Sequence, residues 1–324
     1  MDSPTPTRRD LKLASWEVVP TAGWLHLTRD TFLKSFLLDR GVSHLFIALA
    51  DNFPAIAQMI QPLAAWALAA MGRFRRVVVL AFLLERLLVA LPLLLAVALS
   101  WEKLPRWVLP AMATSYLVGS VAANGWLTWI GRLTDGQGRS AFLSRRSQRE
   151  ALTNAVLGPV AAAGLDWAIR HGRANLGYGA VFGVALMSGL ISLLLIRRID
   201  PATAPARDPN LPPLSRLLAP LRDPGYRRFL RFAGLLTIGQ TLSHPFWTVY
   251  QLAVLHWTVL EVTLYNMAAT LVAMAWYPVW GRLADRVGTT PLLRTLLLFR
   301  VVNPILWLFL TPDNAWWILA PEAM

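Results

Sequence analysis

The feature that most constrains this chain is a succession of apolar stretches, each close to one bilayer span in length and separated by short basic blocks. A hydrocarbon core about 30 Å thick takes about 20 residues of helix to cross. Segments of that kind must satisfy their backbone internally, which helices do. The clearest stretch, 77–99, is apolar except for Glu85, Arg86 and one proline. Others fall at 19–38, 44–70, 107–130, 151–169, 175–196, 229–251, 260–280 and 291–310, with a further start at 315. The expected fold class is all-α: a polytopic membrane helical bundle of nine to ten transmembrane helices.

The charges between the stretches support this reading. The formal net charge is +13, which taken alone would fit nucleic acid. The cations, however, come in short blocks that leave no contiguous basic face for phosphates. If the stretches are spans, 22 of the 31 Lys and Arg residues fall on the side shared with the N-terminus and five on the other. That bias predicts an integral, multi-pass protein of the cell (inner) membrane with a cytoplasmic N-terminus. Charged residues make up only 15% of the chain, against about 25% in soluble domains. The opening residues hold Arg8, Arg9, Asp10, Lys12 and Glu17 and lack the apolar core of a signal peptide. Cysteine is absent, which excludes disulfides and thiolate chemistry. The expected partners are the lipid bilayer and an unidentified small molecule or ion, with no nucleic acid, and the chain is expected to be a monomer.

Organisation follows from the same pattern. Residues 1–18 form a polar cytoplasmic tail, 19–197 a six-helix transmembrane bundle and 198–228 a Pro/Arg-rich cytoplasmic linker carrying Pro201, Pro205, Pro209, Pro212, Pro213, Pro220 and Pro224. Residues 229–324 begin a second bundle. Pro62 to Gly72 and Pro278 to Gly288 repeat a proline-to-glycine interval. Each is followed by an apolar span with a central arginine (Arg86, Arg300) and a later proline (Pro92, Pro304). This pattern points to an internal duplication.

The most specific motif is Gly281-Arg282-Leu283-Ala284-Asp285-Arg286-Val287-Gly288. It resembles the cytoplasmic loop of the major facilitator superfamily, G-x-x-x-D-R-x-G-R-R: Gly281, Asp285, Arg286 and Gly288 match, while Thr289 and Thr290 replace the basic pair. The N-terminal counterpart keeps Gly72, Arg73, Arg75 and Arg76 but lacks the first Gly and the Asp. A second stretch, Gly138-Arg139 with Phe142, Arg145 and Arg146, is similar to a basic loop of some bacterial members; a headgroup anchor is the alternative. The resemblance covers about 20–310. It implies an MFS-like fold of two six-helix bundles, secondary transport by alternating access, and a gating loop built on Gly281, Asp285, Arg286, Gly288, Gly72 and Arg73. Against twelve family helices, the chain is expected to be a C-terminally truncated member. The plain alternative for the motif is a basic loop after a glycine-capped helix.

Ionisable groups within spans are costly and therefore functional candidates. Arg29, Asp30 and Lys34 interrupt the first span, where the resemblance implies a wall of the central cavity. Asp30 and Lys34, four apart, can pair on one face, and Arg29 requires another partner. Glu85 and Arg86 are adjacent and diverge, which favours a structural interhelical ion pair over a proton relay. Arg300, Gln240 and Asn266 complete the substrate-cavity candidates, and Asp51 is a weaker one that could equally serve a helix N-terminus, as could Glu261. The five histidines form no metal-ligand pair, and neither G-x-S-x-G nor a phosphate-binding GxxxxGK[ST] loop occurs. No enzyme activity, cofactor or metal is expected. The alternatives to transport are a non-transporting membrane subunit or enzyme, or an inactive truncated transporter.

Overall fold

The computed structural model describes residues 7–71, 73–101, 105–134, 139–204 and 219–288, with isolated positions beside and beyond these. Among the described residues every regular element is helical. In chain order they are α1 (Arg8–Trp16), α2 (Val18–Leu27), α3 (Asp30–Asp39), α4 (His44–Gln58), α5 (Gln61–Ala70), α6 (Phe74–Ala98), α7 (Val108–Leu133), α8 (Arg139–Arg170), α9 (Ala174–Arg197), α10 (Pro224–Ala253) and α11 (Val259–Val287). Two compact units are present, Met1–Pro245 and Phe246–Met324, with the boundary inside α10. Gly72, Arg300, the 205–212 and 214–218 parts of the linker and the expected tenth start lie outside the described residues, as does most of the ninth span.

The first unit buries charged side chains beside its apolar core and carries apolar side chains on its outside. Glu17, Lys34, Glu85 and Arg86 are each 5% exposed or less. Leu80, Leu84, Leu91 and Leu95 of α6 and Leu152, Val156, Val160 and Trp167 of α8 stand open on the outside. Apolar faces of this extent mark contact with another apolar phase. Three helices are long and apolar enough to cross a membrane: α6, the Phe142–Arg170 part of α8, and α9. The pair α4 and α5, bent by 46° at a short break, makes a fourth if taken as one span. These helices are consistent with membrane integration.

The nine-to-ten span count is not reached among the described residues, and local causes are visible. The stretch 19–38 is two short helices, not one: Thr28 ends α2, Arg29 is extended (φ −131°, ψ 179°) and Asp30 has φ +43°. The Thr28 hydroxyl donates to the Trp24 carbonyl at 2.7 Å, spending the hydroxyl on the end of α2. The stretch 44–70 breaks at Met59 and Ile60, with Pro62 in the first turn of α5. Helix α7 has the length, at 26 residues, but Thr114, Ser115, Ser120, Asn124 and Thr128 dilute its hydropathy.

Two expected loops are helical. Helix α8 starts at Arg139, so Phe142, Arg145 and Arg146 lie on its first turns and not in a loop before it. Helix α11 runs on to Val287, so 281–287 are its last turns, and Gly288 follows with φ +85°. That left-handed geometry is the one a helix-ending glycine supplies without a Cβ clash. The expected tail also contains structure. Thr7 and Asp10 form a capping box on α1: the Asp10 N–H donates to Thr7 Oγ1 at 3.2 Å and the Thr7 N–H to Asp10 Oδ2 at 3.3 Å. Asp10 is 3% exposed and also accepts the Asp200 N–H at 3.1 Å. Burial pushes its carboxyl upward, but the bonds from the Thr7 hydroxyl, the Asp200 N–H and the Thr7 N–H prevail and hold it below the usual aspartate value.

Within the first unit α6 packs along α7 and α9, α2 lies against α8 and α9, and α4 and α5 cover α7. Phe74, Val78, Trp126, Trp129, Leu193 and Ile196 belong to its apolar core. In the second unit Leu255, Trp257, Val262 and Tyr265 cluster at the start of α11. Thr258 and Glu261 cap that helix, with the Thr258 N–H donating to Glu261 at 2.7 Å, which gives Glu261 the N-terminal role open to it from sequence.

Candidate functional site

The break between α2 and α3 opens onto a cavity of about 300 Å³. Its polar wall is Arg29, Asp30, Lys34, Asp51 and Tyr116, and its apolar wall includes Leu33, Leu37, Ile47, Ala50 and Pro54. Lys34 is 2% exposed and lies between two carboxylates, its Nζ 2.9 Å from Asp30 Oδ1 and 3.2 Å from Asp51 Oδ1. The four-residue spacing of Asp30 and Lys34 does give the pair on one helix face. Asp51 arrives from α4, so the lysine ties α3 to α4 through charge.

Arg29 finds its different partner in Glu85 of α6, at 3.7 Å, and its guanidinium lies over the Tyr116 ring, 5.1 Å from the centroid. The guanidinium keeps a cation–π contact and a carboxylate neighbour while remaining 37% exposed. Because Arg29 is extended, it leaves the helical register of its neighbours. Its side chain and that of Asp30 therefore meet the cavity from one chain break.

Glu85 and Arg86 lie behind the cavity, not in its wall. As adjacent helical residues they diverge: Glu85 accepts the Trp24 N–H at 3.4 Å and faces Arg29, while Arg86 turns to α9. Arg86 Nε donates to the Gly189 carbonyl at 2.8 Å, Nη2 to Ser192 Oγ at 2.9 Å and Nη1 to the Phe82 carbonyl at 3.0 Å. Their tips still touch at 3.3 Å. Two glycines make the room: a Cβ on Gly119 would stand 2.9 Å from Glu85 Cγ, and one on Gly189 would stand 3.0 Å from Arg86 Cδ and Nε.

Behind this layer is a residue the sequence placed in the tail. Glu17, 1% exposed, accepts Arg146 Nη2 at 2.6 Å, the Trp126 N–H at 3.1 Å and Ser192 Oγ at 3.2 Å, and also bonds Thr21. A polar chain thus runs from the cavity through Arg29, Glu85, Arg86, Ser192 and Glu17 to Arg146.

No family model, curated protein or solved structure matches the chain.

The structure brings Arg29, Asp30, Lys34, Glu85 and Arg86 into one connected group, with Asp51 added. Asn266 is half-buried on α11 in the second unit, where its carbonyl accepts the Thr270 hydroxyl. The side chains of Gln240, Gly281 and Asp285 lie outside the described residues, whereas Arg286, Gly288 and Arg73 are exposed at helix ends. Tyr116 and Glu17 escaped the sequence reading. The signal for Glu17 was its position directly before an apolar run; Tyr116 carried no charge to flag it. Among the described residues no group of His, Asp or Glu is arranged to hold a metal.

Proposed function

We propose that the chain is a multi-pass protein of the cell membrane, with its N-terminus cytoplasmic, and a secondary transporter of the major facilitator type. It moves a small solute by alternating access, and the cavity at the α2–α3 break is the solute site. The observation that carries this reading is the coincidence of three things at one place: an interrupted apolar stretch, charged side chains from the break, α3 and α4, and a cavity between them. Interrupted helices expose backbone groups and a positive N-terminal end inside the protein, and transporters use such points to hold polar solutes. Ionisable groups in a lipid-facing bundle are retained where a pathway needs them. The basic loop bias and the Gly281–Gly288 motif support the same assignment.

The absence of cysteine makes the test direct. Asp30→Cys and Tyr116→Cys, in sealed vesicles of either orientation, should react with a small water-soluble thiol reagent added from either membrane face. Reaction from one face only, or from neither, refutes transport through this cavity.

A further inference from the structure

We propose that the outward face of α1 binds the headgroups of anionic phospholipid and so anchors the first unit at one membrane surface; this rests on the membrane placement proposed above and not on transport. With 3.6 residues per turn, Arg8, Lys12, Trp16 and Arg9 fall within one arc of about 100° on α1, and all four are exposed. The acids of the same stretch are turned inward. Asp10, 3% exposed, accepts the Thr7 and Asp200 N–H groups, and Glu17, 1% exposed, accepts from Arg146, Trp126 and Ser192. Leu11 and Leu13 pack against the apolar core. The helix is therefore held from behind by its acids and leucines and shows three cations and a tryptophan outward. Arg149 of α8 adds a further cation beside them: it donates to the Ser15 carbonyl at 3.0 Å, and its guanidinium lies over the Trp16 ring, 4.5 Å from the centroid.

Contacts place α1 at the end of the unit where α6 and α8 begin and α9 ends. The core cluster that receives Leu11 and Leu13 includes Phe74, Phe142 and Ile196, from those three helix ends. Arg146 of α8 also donates to the Ala14 carbonyl. The ends of spanning helices stand at headgroup depth. More exposed cations gather there, Arg73 and Arg76 before and at the start of α6 and Arg197 and Arg198 at the end of α9, with Asp200 an exposed acid beside them. Arg75 ties the two ends together by donating to the Arg197 carbonyl. The field beside α1 is thus positive, and a surface of phosphates complements it. The exposed tryptophan decides between polyanions. A phospholipid surface offers phosphates above an apolar layer, where an indole ring rests favourably; a soluble polyanion would match the cations and leave Trp16 in water. The outside of the same unit is apolar, with Leu80 on α6 and Leu152 and Val156 on α8 exposed, so the lipid that covers those helices reaches α1.

The experiment titrates phosphatidylglycerol into the full chain in neutral detergent and follows thermal unfolding, with phosphatidylcholine as the neutral lipid. Phosphatidylglycerol should raise the melting temperature by a few degrees beyond phosphatidylcholine, and high salt should shrink that increment. Each cation near an anionic surface contributes about fivefold, so Arg8→Gln/Arg9→Gln/Lys12→Gln should weaken the apparent affinity about a hundredfold. Its melting temperature in phosphatidylcholine should stay near that of the parent, because the three side chains are exposed. Arg8→Lys/Arg9→Lys keeps the charge and should keep most of the affinity. Lys103→Gln/Arg106→Gln/Arg173→Gln removes as many exposed cations from the opposite helix ends and should leave the increment in place. The proposal is overturned if phosphatidylcholine stabilises as well as phosphatidylglycerol, if both triple variants lose the increment equally, or if the folded α1 variant binds as the parent does. It is also overturned if heparin or glycerol phosphate stabilises the parent as strongly, which would put a soluble polyanion or a small anion in place of lipid. Alkaline carbonate extraction of membranes separates the premises. A chain released by carbonate overturns the membrane placement and this proposal with it; an integral chain without the increment overturns lipid binding alone.

Discussion

Replacing Arg86 with methionine keeps an unbranched apolar stem and removes the guanidinium and its charge, and it should destabilise the first unit severely. Arg86 is 1% exposed and makes three hydrogen bonds of 3.0 Å or less, to the Gly189 carbonyl, Ser192 Oγ and the Phe82 carbonyl, as well as touching Glu85. Charge-assisted bonds contribute about 1.5–3 kcal/mol each when measured singly. They do not add, because one residue removes all of them together. The better guide is that breaking a buried ion pair on one side costs about 3–5 kcal/mol, since the remaining charge stays buried. Here the remaining charge is Glu85, 5% exposed, with only Trp24 at 3.4 Å and Arg29 at 3.7 Å. A loss of about 4 kcal/mol is therefore expected for Arg86→Met. The double variant Glu85→Gln/Arg86→Met removes the orphaned charge as well and should recover about 2 kcal/mol of that loss. Reversible unfolding in mixed detergent and denaturant, run as a double-mutant cycle, measures both. A loss under about 1 kcal/mol, or strictly additive single effects, would refute the account of this cluster.

Two further outcomes follow from the helix packing and the capping box. Gly119→Ala should destabilise by about 1–3 kcal/mol through overpacking, because its Cβ would meet Glu85 Cγ at 2.9 Å; Gly183→Ala on α9, with nothing within 4 Å, should be neutral or raise the melting temperature. Asp10, whose carboxyl is held below its ordinary value, stabilises the folded state above about pH 4, where the unfolded chain has also ionised. That contribution is lost as pH falls through the depressed folded value. Asp10→Asn should flatten the decline of the melting temperature below pH 4, and an unchanged pH profile would remove Asp10 from the cause.

The site was partly legible in advance. Charges inside apolar stretches marked Arg29, Asp30, Lys34, Glu85 and Arg86, because the cost of burying them is a sequence-level fact. The i,i+4 rule gave the Asp30–Lys34 pair. It could not give Asp51 or Glu85 as partners, since these come from α4 and α6 and are set by packing. The divergence of neighbouring helical side chains anticipated that Glu85 and Arg86 would face different ways.

What the sequence by itself determined is the class: apolar runs too long and too regular for a wetted surface dictate helices, and every regular element among the described residues is helical. Tertiary structure decided where those runs break and continue. The 19–38 stretch carries enough apolar residues for a span, yet Arg29 leaves the helix and its charge meets Glu85 and Tyr116 of other elements, while Asp30 starts α3 at φ +43° and pairs with Lys34 of the same helix. The arginines at the start of α8 are a basic block in sequence, yet Arg146 belongs to the interior because Glu17 waits there, held by Trp126 and Ser192. Local composition sets the cost of placing each charge in an apolar bundle. Which charges meet across helices, and so offset that cost, depends on contacts between residues distant in sequence, such as Lys34 with Asp51, Arg29 with Glu85 and Arg146 with Glu17.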